Sequence, residues 1–318
     1  MMKKTFLVAL LAILGAGCDN PQGKKAKNDA VSSEVVEQPF LKTIEYSNLV
    51  DKPTQNFVRE ALIAGGVRQT YADDFLEVVT DFNQTVGEAG LVADGFVMSD
   101  SLEVAYDVGK IITRWEAKHP VFPGYNCRLT SFGLFRDLIS VGNPMQEKAK
   151  NLLIDADALK TNAQKTLTQA EEANFMALFA SVPAENHKDV ARHLQKMQEA
   201  FSERGIRFLH TGDASKASLV SVVFHSVFSD DPADIYLFIG HVGLLLPTEN
   251  NKLLFIEKLA FDEPYQAIKF NNRTELNDYL MNRYDVDKGQ SQAKPFLMEN
   301  DALLEGYRPN PRNIEPKI

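Results

Sequence analysis

The run Ile235-Tyr-Leu-Phe-Ile-Gly-His-Val-Gly-Leu-Leu-Leu246 is followed by Pro247-Thr-Glu-Asn-Asn251 and Lys252-Leu-Leu-Phe-Ile-Glu-Lys-Leu-Ala-Phe261. Two apolar, aromatic-containing runs separated by a short polar turn read as a β-hairpin. With strand alternation, Leu237, Ile239, His241 and Gly243 share one face of the first run. Leu253, Phe255, Glu257, Leu259 and Phe261 share one face of the second. A histidine and a glutamate therefore stand in otherwise apolar rows, which is costly unless each has a partner. A hairpin symmetric about Glu249 sets His241 directly across from Glu257, with Cβ atoms about 5 Å apart. A slip of one residue would turn Glu257 to the opposite face. Gly240 and Gly243 flank the histidine and leave room for another group to approach.

Working outward, Ser218–Phe228 and Tyr265–Phe270 read as further strands, and Arg273–Tyr284 as a closing helix. The N-terminal half reads differently. Asp51–Ala64 opens on Asp and Pro and stops at Gly65-Gly66. Tyr71–Val86 carries Phe75, Val78, Val79, Phe82 and Val86 at helical spacing. Ala105–Lys118 is a third helix, and a Pro-Gly turn leads into a fourth over Cys127–Ile139. Gln146–Ala156, Gln169–Ala180 and Asn186–Glu203 add further helices. Helices, then a strand meander, then a helix indicate an α+β domain over residues 41–307. Arg308–Ile318 holds three prolines and reads as a tail.

The 318 residues are 44% hydrophobic and 24% charged, the balance of a globular protein. The net charge of −9 and the lack of a basic stripe with interleaved aromatics argue against nucleic acid as a partner. Lys3 and Lys4 precede an apolar run, Phe6–Ala16, too short to span a bilayer. It ends in Leu14-Gly15-Ala16-Gly17-Cys18, which resembles the bacterial lipobox, with Gly15 where an aliphatic is usual. That resemblance implies a signal peptide over residues 1–17 and a lipidated Cys18. It implies a polar, flexible tether over 18–40, and a protein held on a membrane in the bacterial cell envelope, outside the cytoplasm. Several acyl chains would anchor it stably, because one chain binds only marginally. Cys127 is then the single thiol left in the mature chain, either inert and buried or reactive.

No HExxH, CxxC, GxSxG, Walker loop or dinucleotide fingerprint occurs, so no cofactor and no metal site are expected. Cys127 sits at a helix start, where free N–H groups and partial positive charge stabilise a thiolate. The position suits the first apolar residue of a core helix equally well. Arg128 adds a charge beside it, and the Cys127 N–H with Tyr125 or Asn126 is placed for an oxyanion. Glu257 is placed to orient His241 as the third member of a triad does. His119 reads as a helix-end cap, His187 and His193 as residues of a polar helix, His225 as core or edge, and His210 as a turn residue.

A cysteine at a helix start, a His-Val-Gly strand and a polar residue on the next strand resemble the papain-like arrangement of NlpC-type and CHAP-type cell-wall amidases. The resemblance covers roughly residues 122–284, with a helical insertion between cysteine and histidine. Asn126 stands where NlpC-type enzymes often carry an aspartate, and Arg128-Leu129-Thr130 replaces their Ser-Gly after the cysteine. Tyr46-Ser-Asn-Leu-Val-Asp51, Gly95-Phe96 and Gly124-Tyr-Asn-Cys-Arg-Leu-Thr-Ser-Phe132 resemble a bacterial lipoprotein family, domain of unknown function 4300, which carries no activity over. The amidase resemblance implies a membrane-tethered cysteine hydrolase that cleaves an amide, as in peptidoglycan stem peptides, using Cys127, His241 and Glu257. The alternative is a non-enzymatic exported lipoprotein whose papain-like scaffold binds a peptide or protein.

Overall fold

The computed structural model describes residues 39–313 except 146–148, 163, 165, 228 and 230. The segments expected to be a signal peptide and a tether, with Cys18, therefore lie outside the described residues but for the last two tether positions. In chain order the elements are β1 (Ile44–Ser47), α1 (Lys52–Ala64), α2 (Gln69–Val86), β2 (Val97–Ser99), α3 (Val108–Lys118), α4 (Cys127–Phe135) and β3 (Ile139–Val141). There follow α5 (Leu153–Thr161), α6 (Gln169–Phe179), β4 (Val182–Pro183), α7 (Val190–Glu203) and β5 (Ile206–Phe208). The C-terminal part holds β6 (Ser218–Val227), β7 (Ile235–Pro247), β8 (Leu253–Lys258), β9 (Tyr265–Phe270), α8 (Arg273–Tyr284), β10 (Phe296–Glu299) and β11 (Ala302–Leu303). This is an α+β fold built on an antiparallel meander.

The main sheet runs β11-β10-β6-β7-β8-β9-β1-β2, and β4 also pairs with β7. One face packs on α1, α2 and α4 through residues such as Leu62, Val79, Phe132, Leu244 and Ile256. The other packs on α8 through Leu245, Phe255, Ile268, Leu276 and Leu280. The local signals account for the helices. Asp51 caps α1 by accepting from Thr54 N–H at 2.8 Å, and Gly66 leaves it with φ +96°. Asn126 caps α4 by accepting from Leu129 N–H at 2.9 Å.

The structure corrects several sequence-based expectations. The helical first half contributes two strands, β1 and β2, that extend the C-terminal meander beyond β9. Both are too short for alternation to stand out. The fourth helix ends at Phe135, and Ile139 begins β3, which pairs with β5. The helix expected from Asn186 begins at Val190, capped by Asp189. The segment after Arg308 is folded as far as Asn313. Arg308 pairs with Asp278 at 2.6 Å, and Asn310 and Asn313 are buried against Asp285.

Candidate functional site

β7 has β6 along one side, but its other side is shared. β4 pairs there at Tyr236 and Leu237, and β8 only from Leu244 onward. Between them, Phe238 to Gly243 have no strand partner on that side. The first turns of α4 occupy the place. Arg128 Nη1 donates to the Ile239 carbonyl at 3.2 Å, and Ser131 Oγ to the Val242 carbonyl at 3.1 Å. The Cys127 thiol lies 3.9 Å from the Gly240 carbonyl, and the Val242 N–H donates to it. Side chains of a helix thus take hydrogen bonds that a neighbouring strand would otherwise make.

Opposite this gap β7 carries an irregularity. Val222 pairs with His241 and Val223 with Ile239, so Gly240 is an extra residue of the kind found in a β-bulge. Before it, Leu237 and Ile239 belong to the α4-side core; after it, Val242 and Leu244 do. The bulge therefore changes which parity faces the helices, and it sets His241 on the α8 side, its ring stacked on Tyr284 at 5.0 Å.

The hairpin register differs from the symmetric one. Pro247 pairs with Leu253 and Leu244 with Ile256, because Glu249–Asn251 form a 3-10 turn in which Asn251 takes φ 59°. The centre lies at residue 250, so Glu257 is level with Gly243 and diagonal to His241. A shift of two leaves His241 and Glu257 on one face of the hairpin, and long side chains bridge such a diagonal. The bulge, however, takes His241 off the face of Leu237 and Ile239, which simple alternation had expected it to share. His241 Nε2 and Glu257 Oε2 are 2.5 Å apart. The two glycines admit core rings, since a Cβ at Gly240 would meet Phe224 at 2.5 Å and one at Gly243 would meet Phe255 at 2.3 Å.

Cys127, His241 and Glu257 are thus brought together, at 5%, 1% and 0% exposure. Burial pushes the Cys127 thiol up, but the His241 charge, a hydrogen bond with His241, the Arg128 charge and the Val242 N–H outweigh it, and the thiol lies below its ordinary value. Burial lowers His241, but the thiolate and Glu257 outweigh it and raise the ring to about 9. With Nε2 engaged by Glu257, Nδ1 is the nitrogen left to meet the thiol. The thiol and the imidazole are buried side by side, and each favours the charged form of the other.

The neighbours are committed to the protein. Asn126 caps α4 with its oxygen and donates from Nδ2 to Asp155 at 2.7 Å. Arg128 makes a two-point contact with the same Asp155, at 3.0 and 2.7 Å. Tyr125 turns its hydroxyl to Asn162 Nδ2 at 2.8 Å. The second oxygen of Glu257 accepts from Tyr279 on α8 at 2.5 Å. Asp155, Ser131, Tyr279 and Tyr284 escape a sequence reading; only the burial of an Asp in the Leu-Ile-Asp-Ala stretch at 153–156 hints at one of them. Among the described residues no group of three His, Cys, Asp or Glu could hold a metal ion. None of the described helices is long and apolar enough to cross a membrane.

Residues 45–304 match the family model described as Domain of unknown function (DUF4300). No curated protein and no solved structure matches the chain.

Proposed function

We propose, for a chain that belongs to the family of the DUF4300 domain, that the site is that of a cysteine hydrolase acting on an amide. The observation that carries this reading is the buried contact of Cys127 with a His241 that Glu257 holds from behind. The Cys127 thiolate attacks the carbonyl carbon and forms a tetrahedral adduct. The Cys127 N–H at the start of α4 faces the developing oxyanion. The His241 imidazolium gives its Nδ1 proton to the departing amine, the C–N bond breaks and a thioester remains. Water attacks that thioester while His241 takes a proton, releasing the carboxylate and restoring the ion pair. Glu257 keeps the ring oriented throughout. The order of helix cysteine, strand histidine and next-strand carboxylate is papain-like, with α5–α7 as the insertion.

The test is a thiol titration. The thiolate absorbance of the wild-type protein should persist below pH 7, well under the ordinary cysteine value of about 8.5. Iodoacetamide labelling of Cys127 should follow the same curve. A thiol that ionises only near its ordinary value would sink the hydrolase reading.

One observation favours a second reading. All three residues are closed off from solvent, which also suits a non-enzymatic protein that uses the papain-like scaffold to bind a peptide or protein. That reading expects an ordinary thiol titration. In either case the protein acts from a membrane, held by lipid on Cys18 and facing the cell wall. Cells fed labelled palmitate should label the wild-type protein and not Cys18→Ser. Equal labelling of the two would remove the lipid anchor.

A further inference from the structure

A second cluster lies away from the thiol. His187, before α7, stacks on His193 of α7 with ring centroids 4.1 Å apart and planes 15° apart. His193 in turn lies 4.3 Å from His225 of β6. His193 is wholly buried on a helix of polar composition, and His225 is buried beside it. The rings are stacked rather than converging on a point, so this is not a metal centre.

The hydrogen bonds settle where the protons are. His187 Nδ1 accepts from the Asp189 N–H at 3.2 Å, and His225 Nδ1 accepts from the Ala293 N–H at 3.0 Å. His193 Nε2 lies 2.8 Å from the His187 carbonyl and must donate to it. Its Nδ1 is buried with no hydrogen-bond partner among the described residues. Each ring therefore engages one nitrogen in a way that suits its neutral form, and His225 Nε2, like His193 Nδ1, is buried with no hydrogen-bond partner among the described residues. A proton on His187 or His225 at Nδ1 would face a backbone donor and break that bond. A proton on His193 would be buried without an acceptor, between two other imidazoles.

The surrounding charges do not offset this. Glu185 is held by Arg192 at 2.5 Å. Asp189 caps α7, and Lys188 adds a positive charge to the same loop. β6 and residues 290–293 carry no other ionisable side chain. Burial and the two neighbouring rings hold His225 at about 4, and burial lowers His193.

We propose that this stack is an acid-operated latch that ties α7 and the loop after β4 to β6 and to the segment before β10. It is closed while His193 and His225 are neutral. It opens as pH falls from the ordinary histidine value of 6.5 toward 4, because the opened state takes up protons that the closed state excludes. β4 pairs with β7 just ahead of Ile239, so opening loosens the strand that carries His241.

Hydrogen exchange of the full chain, corrected for intrinsic pH dependence, tests the latch. Between pH 6.5 and 4, protection of the Asp189 and Ala293 amides should fall about tenfold per pH unit for each proton taken up. Amides in α1 and α2 should stay protected. His225→Asn keeps an acceptor for the Ala293 N–H but cannot be protonated, and should flatten the fall. His187→Ala, at the half-exposed end of the stack, provides the same readout should the buried variant fail to fold. Histidine resonances that titrate near 6.5 with unchanged protection would overturn the proposal, as would a fall of equal size in His225→Asn or His187→Ala.

Discussion

Replacing Cys127 by alanine is expected to abolish amide cleavage, lowering turnover by on the order of 10⁴-fold to 10⁶-fold, the scale on which loss of a covalent nucleophile acts. The assay is release of free amine from a panel of peptides that includes peptidoglycan stem-peptide fragments. Alanine removes the sulfur that the proposed thioester requires, while the small change at the start of α4 leaves the Asn126 cap and the Arg128–Asp155 contact in place. The fold should therefore survive, and circular dichroism of the variant should match that of the wild type. Cleavage retained by Cys127→Ala would end the mechanism. A wild-type protein inert on the whole panel, with an ordinary thiol titration, would support the binding reading instead.

Glu257→Ala should produce the largest loss of stability. Glu257 is fully buried, and its two oxygens contact His241 and Tyr279. Truncating one member of a buried charged pair leaves the other uncompensated, which typically costs about 3–5 kcal/mol. The pH dependence follows from His241, raised from 6.5 to about 9 by the thiolate and Glu257 against the opposing effect of burial. A ring whose folded value is raised contributes stability fully below 6.5 and loses it as pH rises through about 9. The gap between wild type and Glu257→Ala in urea unfolding should therefore be widest below 6.5 and shrink above 9. The thiol titration should move back up, because a weaker imidazolium stabilises the thiolate less. Equal stability at every pH, with an unmoved thiol, would show that Glu257 does not hold the ring. Glu257→Gln keeps the shape without the charge and should fall between the two.

The same contacts favour ionisation of a buried thiol. A thiolate alone in an apolar core would be neutralised by its surroundings. Here the His241 ring, a backbone N–H and the charge of Arg128 draw the thiol below its ordinary value against burial. Asp155 holds Arg128 and Asn126 together, so the start of α4 is tied to α5 and, through the Ile239 carbonyl, to β7. The spacing between the elements that carry Cys127 and His241 is set by these contacts.

Much of this was legible in the chain alone. Alternation in residues 253–261 placed Glu257 in an apolar row, where a charged residue requires a partner, whereas the row expected of Leu237, Ile239 and His241 is broken at the Gly240 bulge. The Pro-Gly turn ahead of Cys127 marked a helix start. Those inferences rest on local periodicity and turn residues, which neighbouring residues dictate. Parity also protected the pairing: the register moved by two positions, and a shift of two preserves the face.

Other features depended on residues far apart in sequence. The Gly240 bulge arises from pairing with β6, and the open side of β7 exists only because β4 and β8 leave it uncovered. Glycines expected to leave room for another group to approach His241 make that room for the rings of Phe224 and Phe255. Asp155, Tyr279 and the histidine stack are assembled from separate elements, and a buried polar group reveals its partner only once the chain has folded. The sequence by itself determined the α+β class and which side chains could not be left alone in the core. The tertiary structure decided what meets them, because burial and hydrogen-bond partners belong to packing rather than to order along the chain.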